Sequence, residues 1–168
     1  MGMSCQLAEV YPLQRVALEQ ALYGFYLHRK PDLLETWLRR HDSDASKKLV
    51  RDTFKIGTLK QELKGFSPAI HSRFEKYYES SIDWGAHPNE RAMSGNAEWE
   101  EIEDGRRFSA IYLSGKPIFI RAALNSTACV GVCCLEILSE IFRIRFEILQ
   151  LDKKLEKLRT KILQDNTY

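Results

Sequence analysis

The closing stretch of the sequence, from Pro117 to about Leu163, is the feature that most limits what this chain can fold into. It has one glycine, Gly131, and no proline after Pro117, so it predicts one long helix, or two helices with a bend at about residues 125–131. Apolar residues recur there in alternating steps of four and three: Val130, Cys134, Ile137, Ile141, Ile144, Ile148, Leu151, Leu155, Leu158 and Ile162. This 3.5-residue period is typical of helices that pack lengthwise on another helix.

A second apolar stripe widens the face of this helix up to Leu149. It consists of Leu135, Leu138, Phe142, Phe146 and Leu149. Beyond Leu151 only the narrow stripe continues, so we predict a helical bundle whose last helix projects as a coiled-coil-like arm. A parallel homodimer would oppose like charges along that arm. We therefore expect the arm to pack antiparallel, on helix one of its own chain or across the two-fold axis of a homodimer.

Four shorter helices are predicted ahead of this stretch, at about residues 12–27, 31–38, 44–63 and 68–84. The first has an alternative start near Ser4. Ser67 and Pro68 form a cap and first-turn pair for the fourth helix, which Gly85 and Pro88 end. The apolar stripes of these helices and of the closing helix predict the buried residues Trp37, Phe54, Phe74, Ile141 and Phe142.

Residues 84–116 differ in composition from the rest of the chain, because they are richer in glycine and asparagine and include the acidic run "EWEEIED". Asp104-Gly105, followed by alternating apolar residues, permits a small hairpin, and an irregular loop is the alternative. The predicted fold class is therefore all-α. It is a single-domain helical bundle over residues 1–168, with a long C-terminal helix and a loop or hairpin insertion around residues 85–116.

Composition narrows the class of protein. The chain of 168 residues has a net charge of +2, which excludes the global positive field of many nucleic-acid binders. Four cysteines are too few for the disulfide framework of a small secreted domain, so a cytoplasmic location is expected. The N-terminus does not resemble a signal peptide. The most apolar run, between Arg121 and Glu136, has fourteen residues, and segments that short are usually buried core helices.

The stretch "SSIDWGAHPNER" carries the main candidate for a catalytic site. Asp83 and His87 are four residues apart, and Asn89 and Arg91 follow at once. A carboxylate beside an imidazole can orient it and raise its pKa, as a general base requires. The alternative is that Gly85 and Pro88 end the helix while His87 and Asn89 satisfy its last carbonyls.

Other polar clusters have simpler interpretations. Cys129, Cys133 and Cys134 are expected to be core thiols, because zinc sites usually include further Cys or His nearby. The third helix has a basic stripe, which is expected to be a solvated face; it consists of Lys47, Lys48, Arg51 and Lys55. Arg15 and Glu19 are expected to form an intrahelical pair. We expect no metal and no cofactor.

Several strings together carry a family resemblance: "LQRVALEQALYGFYL", "PDLLETWLRR", "YYESSIDWGAHPN" and the closing helix. The chain resembles bacterial helical-bundle families of unknown function that look distantly like the HEPN group, many of which are ribonucleases of toxin or phage-defence systems. The active motif of that group is an Arg followed after four to six residues by a His. None of His28, His41, His71 and His87 has an Arg at that distance upstream, so the catalytic pair is not carried over.

Two functional hypotheses follow. The first is a cytoplasmic helical domain that acts by protein or ligand binding, through self-association of the C-terminal helix as a homodimer or through another protein. The second is a ribonuclease that uses the helix exit from Asp83 to Arg91, with RNA as its partner. Neither hypothesis involves a membrane.

Overall fold

The computed structural model describes residues 6–165 apart from 87–89, 96, 112 and 114. Its elements are α1 (Leu7–Arg29), α2 (Leu34–Leu38), α3 (Asp44–Thr53), α4 (Ile56–Phe66), α5 (Pro68–Ser81), α6 (Glu90–Gly95), β1 (Ala97–Ile102), β2 (Gly105–Ala110), α7 (Pro117–Ile141), α8 (Arg143–Ile148) and α9 (Leu151–Asp165). Short 3₁₀ turns flank α2. The predicted fold class is confirmed, since the chain is an all-α helical bundle with one small two-stranded sheet.

Helices α1, α5 and α7 form the centre of the bundle. Near one end, the Gln14 amide donates to the Thr127 hydroxyl at 3.0 Å. Towards the other end, Gly24 faces Ile141, so α1 and α7 run parallel. Arg73 contacts Glu136, while Tyr77, four residues later, lies beside Cys129, seven residues earlier, and α5 therefore runs antiparallel to α7. The core between the helices includes the fully buried residues Leu18, Leu22, Phe25, Leu59, Leu63, Phe74 and Ile137.

The predicted third helix is in fact two helices, α3 and α4, which break at Phe54 and Lys55. Neither glycine nor proline stands at this break. The Phe54 carbonyl accepts a hydrogen bond from the Tyr23 hydroxyl at 3.0 Å, and the Phe54 ring packs at 4.9 Å from Trp37. A carbonyl that a helix end would leave unpaired is thus satisfied by a tertiary contact, which explains why local sequence signals did not predict the break.

The start of α5 and the hairpin are confirmed. The Ser67 hydroxyl accepts a hydrogen bond from the Ile70 amide at 3.3 Å, and Pro68 occupies the first helical turn. Strands β1 and β2 pair antiparallel around a turn at residues 103–104, with Trp99 opposite Phe108.

The long closing helix is interrupted, and the predicted bend at residues 125–131 is wrong. α7 is continuous to Ile141, and the chain breaks at Phe142 and again at residues 149–150. Gln150 has φ = 50°, a left-handed conformation that non-glycine residues rarely adopt. These breaks fold α9 back along α7, and the Arg159 guanidinium lies 3.6 Å from the Glu136 carboxylate. The arm therefore packs antiparallel on α7 of its own chain and not on helix one.

The breaks also change which residues are buried. Phe54 and Phe74 are buried as predicted, while Trp37 and Ile141 are partly buried. The prediction for Phe142 was wrong, since its side chain is 43% exposed at the end of α7. Ile144 and Ile148 belong to the predicted apolar stripe, yet they are 72% and 73% exposed. The stripe is thus uncovered on α8.

One helix in the described part of the chain, Pro117–Ile141, is long and apolar enough to cross a membrane. This corrects the expectation of a segment too short to do so, because α7 extends beyond the most apolar run on both sides. Such a helix alone is weak evidence for a membrane span, since the central helix of a bundle passes the same test. Here Val130, Cys133 and Ile137 of α7 belong to the core.

Candidate functional site

The exit of α5 is a wide helical turn, Ile82–Ala86, in which Gly85 has a non-helical backbone with φ = 157° and ψ = −12°. A β-carbon at Gly85 would lie 3.5 Å from both the Ala8 carbonyl oxygen and the Pro12 ring. The turn therefore packs directly on α1. Glycine suits this position because side-chain-bearing residues rarely adopt such a backbone.

Replacing Gly85 by alanine is expected to lower the free energy of unfolding by about 1–3 kcal/mol, because alanine is strained at this backbone conformation. The matched control is Gly131→Ala in the interior of α7, where a new β-carbon meets nothing within 4 Å. That change should raise the stability by about 0.5–1 kcal/mol, since alanine is the better helix former. Urea unfolding of the two variants measures both effects, and equal effects would contradict the role assigned to Gly85.

The four predicted site residues differ in how far the structure describes them. Asp83 lies in the wide turn and is exposed. Arg91 belongs to α6, but its side chain is outside the described part of the chain. His87 and Asn89 lie outside the described residues altogether. The grouping of Asp83, His87, Asn89 and Arg91 as a catalytic site therefore stays a prediction.

A cavity of about 270 Å³ opens beside this helix exit, and we call it the aromatic pocket. It is lined by Leu7, Tyr11, Ser80, Trp84, Gly95, Phe119, Ala122 and Ser126. Four helices and the wide turn meet there: the start of α1, the end of α5, the end of α6 and the first turns of α7. The lining is mostly carbon, with three hydroxyl groups as its polar components, which is the usual make-up of a small-molecule site.

The aromatic pocket has one stacked wall and two exposed rings. Tyr11 and Trp84 stack with their ring centroids 6.2 Å apart and an angle of 27°. Burial raises the pKa of the Tyr11 phenol above its ordinary value, so this hydroxyl stays a neutral hydrogen-bonding group at physiological pH. Trp84 and Phe119 are 41% and 44% exposed. The site therefore offers aromatic surface to solvent beside uncharged hydroxyl groups.

Sequence reasoning missed this pocket. Tyr11, Trp84 and Phe119 lie more than thirty residues apart from one another, and each belongs to a different element. No spacing rule joins such positions. The one available signal was that aromatic residues stand near the end of each of these three elements.

Sequence reasoning also missed a polar cluster between α1, α4 and α5. The Tyr78 hydroxyl donates to Glu19 at 3.0 Å, and Glu19 also pairs with Arg15 at 2.9 Å, which confirms the predicted intrahelical pair. The Lys60 ammonium lies 4.0 Å from the centre of the Tyr78 ring and 3.1 Å from Glu75. Burial, followed by the hydrogen bond to Glu19, raises the pKa of Tyr78 to about 12. The cluster thus holds three helices together with mutually paired groups.

The imidazole and carboxylate pair of this cluster is His71 with Glu75, whose atoms are 3.4 Å apart. Their spacing of four residues on α5 was visible in the sequence. Such a pair can orient an imidazole for proton transfer. Neither residue lines the aromatic pocket, and Glu75 is already bound to Lys60. We therefore assign the pair to the structure of the bundle.

The buried carboxylate of Glu136 joins α7 to α5 and to α9. Glu136 is 8% exposed and accepts a hydrogen bond from Arg73 of α5 at 2.8 Å. The Arg159 guanidinium of α9 lies 3.6 Å from the other carboxylate oxygen. Two guanidinium groups thus offset one buried negative charge, as buried charges require. This ion triad fixes α9 on α7.

The cysteines next to this triad have the properties of core thiols. Cys133 is buried, and Cys129 and Cys134 are partly buried. Burial raises the pKa of the thiol to about 12 for Cys133 and about 11 for Cys134, so the thiolate that binds metals or attacks substrates is scarce at neutral pH. Within the described residues, no group of three or more His, Cys, Asp or Glu side chains is arranged to hold a metal ion.

The basic stripe, which lies on α3 and at the break that follows it, is exposed, as expected for a solvated face. Lys47 pairs with Asp44 at 3.0 Å, and Lys55 pairs with Asp52 at 3.6 Å. These acids reduce the positive field that a phosphate-binding surface would need. The aromatic pocket is therefore the better candidate for a binding site. No protein-family model matches this chain, and no curated protein or solved structure matches it either.

Proposed function

We propose that this chain is a cytoplasmic helical domain that acts by binding, and that the aromatic pocket takes up a small apolar molecule containing a ring. The observation that carries the proposal is the convergence of Tyr11, Trp84 and Phe119 on one cavity of about 270 Å³. A planar ring can pack on these aromatic faces. The Ser80 hydroxyl can then bind one uncharged polar substituent, and the Ser126 hydroxyl, which donates to Gln14, can accept a hydrogen bond from it.

The packing around the pocket supports a preformed site. The stacked rings of Tyr11 and Trp84 are held by Gly85, which brings the wide turn against α1. On the side of α7, the Ser126 hydroxyl donates to the buried Gln14 amide at 3.0 Å, so the first half of α7 is fixed to α1. A pocket with rigid walls loses little conformational freedom on binding, which favours affinity.

Fluorescence titration with N-phenyl-1-naphthylamine, a neutral probe that carries a naphthyl and a phenyl group and brightens in apolar surroundings, tests the proposal. We expect saturable binding of one probe per chain. Ala122→Phe should weaken this binding at least about tenfold, or roughly 1.4 kcal/mol, because the added ring occupies the pocket.

The matched control is Ala128→Phe. Ala128 is also an exposed alanine of α7, but it does not line the pocket. Its substitution should leave the affinity within about twofold of the wild type. Absence of saturable binding to the wild-type chain, or equal loss in both variants, would contradict the pocket as the binding site.

Self-association is the second part of the proposal. The observation in its favour is the apolar surface of α8, where Ile144 and Ile148 are more than 70% exposed and Leu149 is also exposed. Exposed apolar side chains that adjoin one another often mark protein contacts. A homodimer would cover them.

The HEPN-like ribonuclease stays the alternative. Its expected site contains His87 and Asn89, which lie outside the described residues, so the geometry of the bundle does not favour it over binding. Incubation of the purified chain with mixed RNA distinguishes the two functions. Cleavage of RNA that His87→Ala abolishes would overturn the binding proposal.

A further inference from the structure

We propose that two copies of this chain exchange α9, so that each α9 leaves its own α7 and packs on α7 of the second copy. The inference rests on the self-association proposed above, and it names the segment and the surface that make the contact. Three features carry it: the conformation of the two breaks, the surface that a continuous helix would present, and the symmetry of the ion triad.

The breaks on either side of α8 lack the residues that usually end helices. Residues 132–165 contain neither glycine nor proline. Among the described residues, Gln150 is the one non-glycine residue with a positive φ. Glutamine is a good helix former and is strained in the left-handed conformation. A continuous helix through Phe142 and Gln150 would remove this strain and restore helical hydrogen bonds.

A continuous helix would also present one unbroken contact surface. Residues in steps of three or four share one side of a helix. Such steps connect three surfaces in turn. The first is the surface of α7 that α9 now covers, with Glu136 and Glu140. The second is the exposed pair Ile144 and Ile148 of α8, and the third is the inner side of α9, with Leu151 and Leu155. The same side of the helix thus contains both halves of the existing contact and the uncovered residues between them.

The existing contact between α7 and α9 is also symmetric about a point between Glu147 and Ile148, at the end of α8. Two pairs share this midpoint: Glu136 with Arg159, and Cys133 with Ile162, which line one cavity. Glu136 lies eleven residues before Glu147, and Arg159 lies eleven residues after Ile148. Two continuous helices that pack antiparallel about a two-fold axis at this point would place Arg159 of each chain beside Glu136 of the other. The ion pair seen within one chain would form twice between two chains. Ile148 would face Ile148 across the axis, and Ile144 would be covered nearby.

Gln150→Ala and Gln150→Gly are the matched variants that test the hinge. Both remove the same exposed side chain, but alanine favours a continuous helix and glycine tolerates the left-handed turn. We expect the equilibrium dissociation constant of the Gln150→Ala dimer to be at least about tenfold lower than that of the Gln150→Gly dimer. Light scattering of the full chain over a range of concentrations measures this ratio. Equal constants would overturn the role of Gln150 as the hinge.

Cross-linking then distinguishes an exchanged dimer from any other dimer. Ile162 lines the same small cavity as Cys129 and Cys133, so Ile162→Cys in a Cys5→Ser background places a third thiol beside these two. A short bismaleimide should link the introduced thiol of α9 to Cys129, the less buried of the two thiols, on α7 of the other chain, which gives a covalent dimer on denaturing electrophoresis. The control is the Cys5→Ser chain with Ile162 retained, which should give no covalent dimer.

The outcomes separate the two proposals. A chain that stays monomeric in light scattering, including as Gln150→Ala, overturns both self-association and exchange. A dimer whose cross-links join residues within one chain overturns the exchange and leaves self-association standing. A dimer with cross-links between chains, absent from the control, supports both.

Discussion

Replacing Phe74 by alanine is expected to lower the free energy of unfolding by about 3–5 kcal/mol. The side chain is fully buried and stacks on Tyr78 at a centroid distance of 5.5 Å. Its removal loses the transfer free energy of the ring and leaves a cavity between α1, α5 and α7, which the surrounding helices fill only in part. Urea unfolding with an unchanged m-value measures the loss.

Phe142→Ala is the matched control for this change. The sequence pattern placed both phenylalanines in the core, but the Phe142 ring is 43% exposed at the break after α7. Its removal should cost at most about 1 kcal/mol. If Phe74→Ala also lowered the free energy of unfolding by only about 1 kcal/mol, the assignment of Phe74 to the centre of the core would be contradicted.

Replacing Arg73 by methionine is expected to lower the stability by about 2–3 kcal/mol. Removal of one partner of a buried ion pair commonly costs about 3–5 kcal/mol, because the other charge stays buried. The smaller value is expected here because Arg159 stays 3.6 Å from the Glu136 carboxylate. Methionine preserves the apolar stem of the side chain, so the measured loss reports the charge.

Two further variants test this explanation. Arg143→Met breaks the exposed pair of Arg143 with Glu147 at 3.5 Å, and it should change the stability by less than about 1 kcal/mol. Adding Glu136→Leu to Arg73→Met should recover part of the loss, since the buried charge is then absent. No recovery in the double variant would contradict an electrostatic origin of the effect.

The parts of the fold that depend on local chemistry could be predicted from the sequence. Ser67 and Pro68 start α5 because a hydroxyl cap and a proline act within one helical turn. Asp104 and Gly105 allow the hairpin for a similarly local reason. The apolar stripes of α1, α5 and α7 predicted a bundle because burial follows the helical period.

The breaks in the helices could not be predicted in this way. The break at Phe54 depends on the Tyr23 hydroxyl, which is 31 residues away in the sequence. Gln150 turns the chain back although its side chain favours a helix. In both cases tertiary contacts determine the backbone.

The candidate site could be predicted only in part. Asp83 and Trp84 were visible as neighbours at the helix exit, but the aromatic pocket also needs Tyr11 and Phe119 from two distant helices. Their meeting follows from the parallel packing of α1 on α7, and no pattern in either helix alone specifies that packing.

The parallel packing of α1 on α7 also affects how the chain folds during synthesis. Of the helix pairs in the described part of the chain, this one makes the most extensive contact, and Gln14 is 113 residues from its partner Thr127. At typical rates of translation, the part of α1 that contacts α7 stays uncovered for about 5–20 s after α1 leaves the ribosome, whereas α4 and α5, which also pack on α1, are made earlier. Completion of the core is therefore delayed until α7 has been made. The surface of α1 that α7 later covers is therefore exposed to aggregation during this interval.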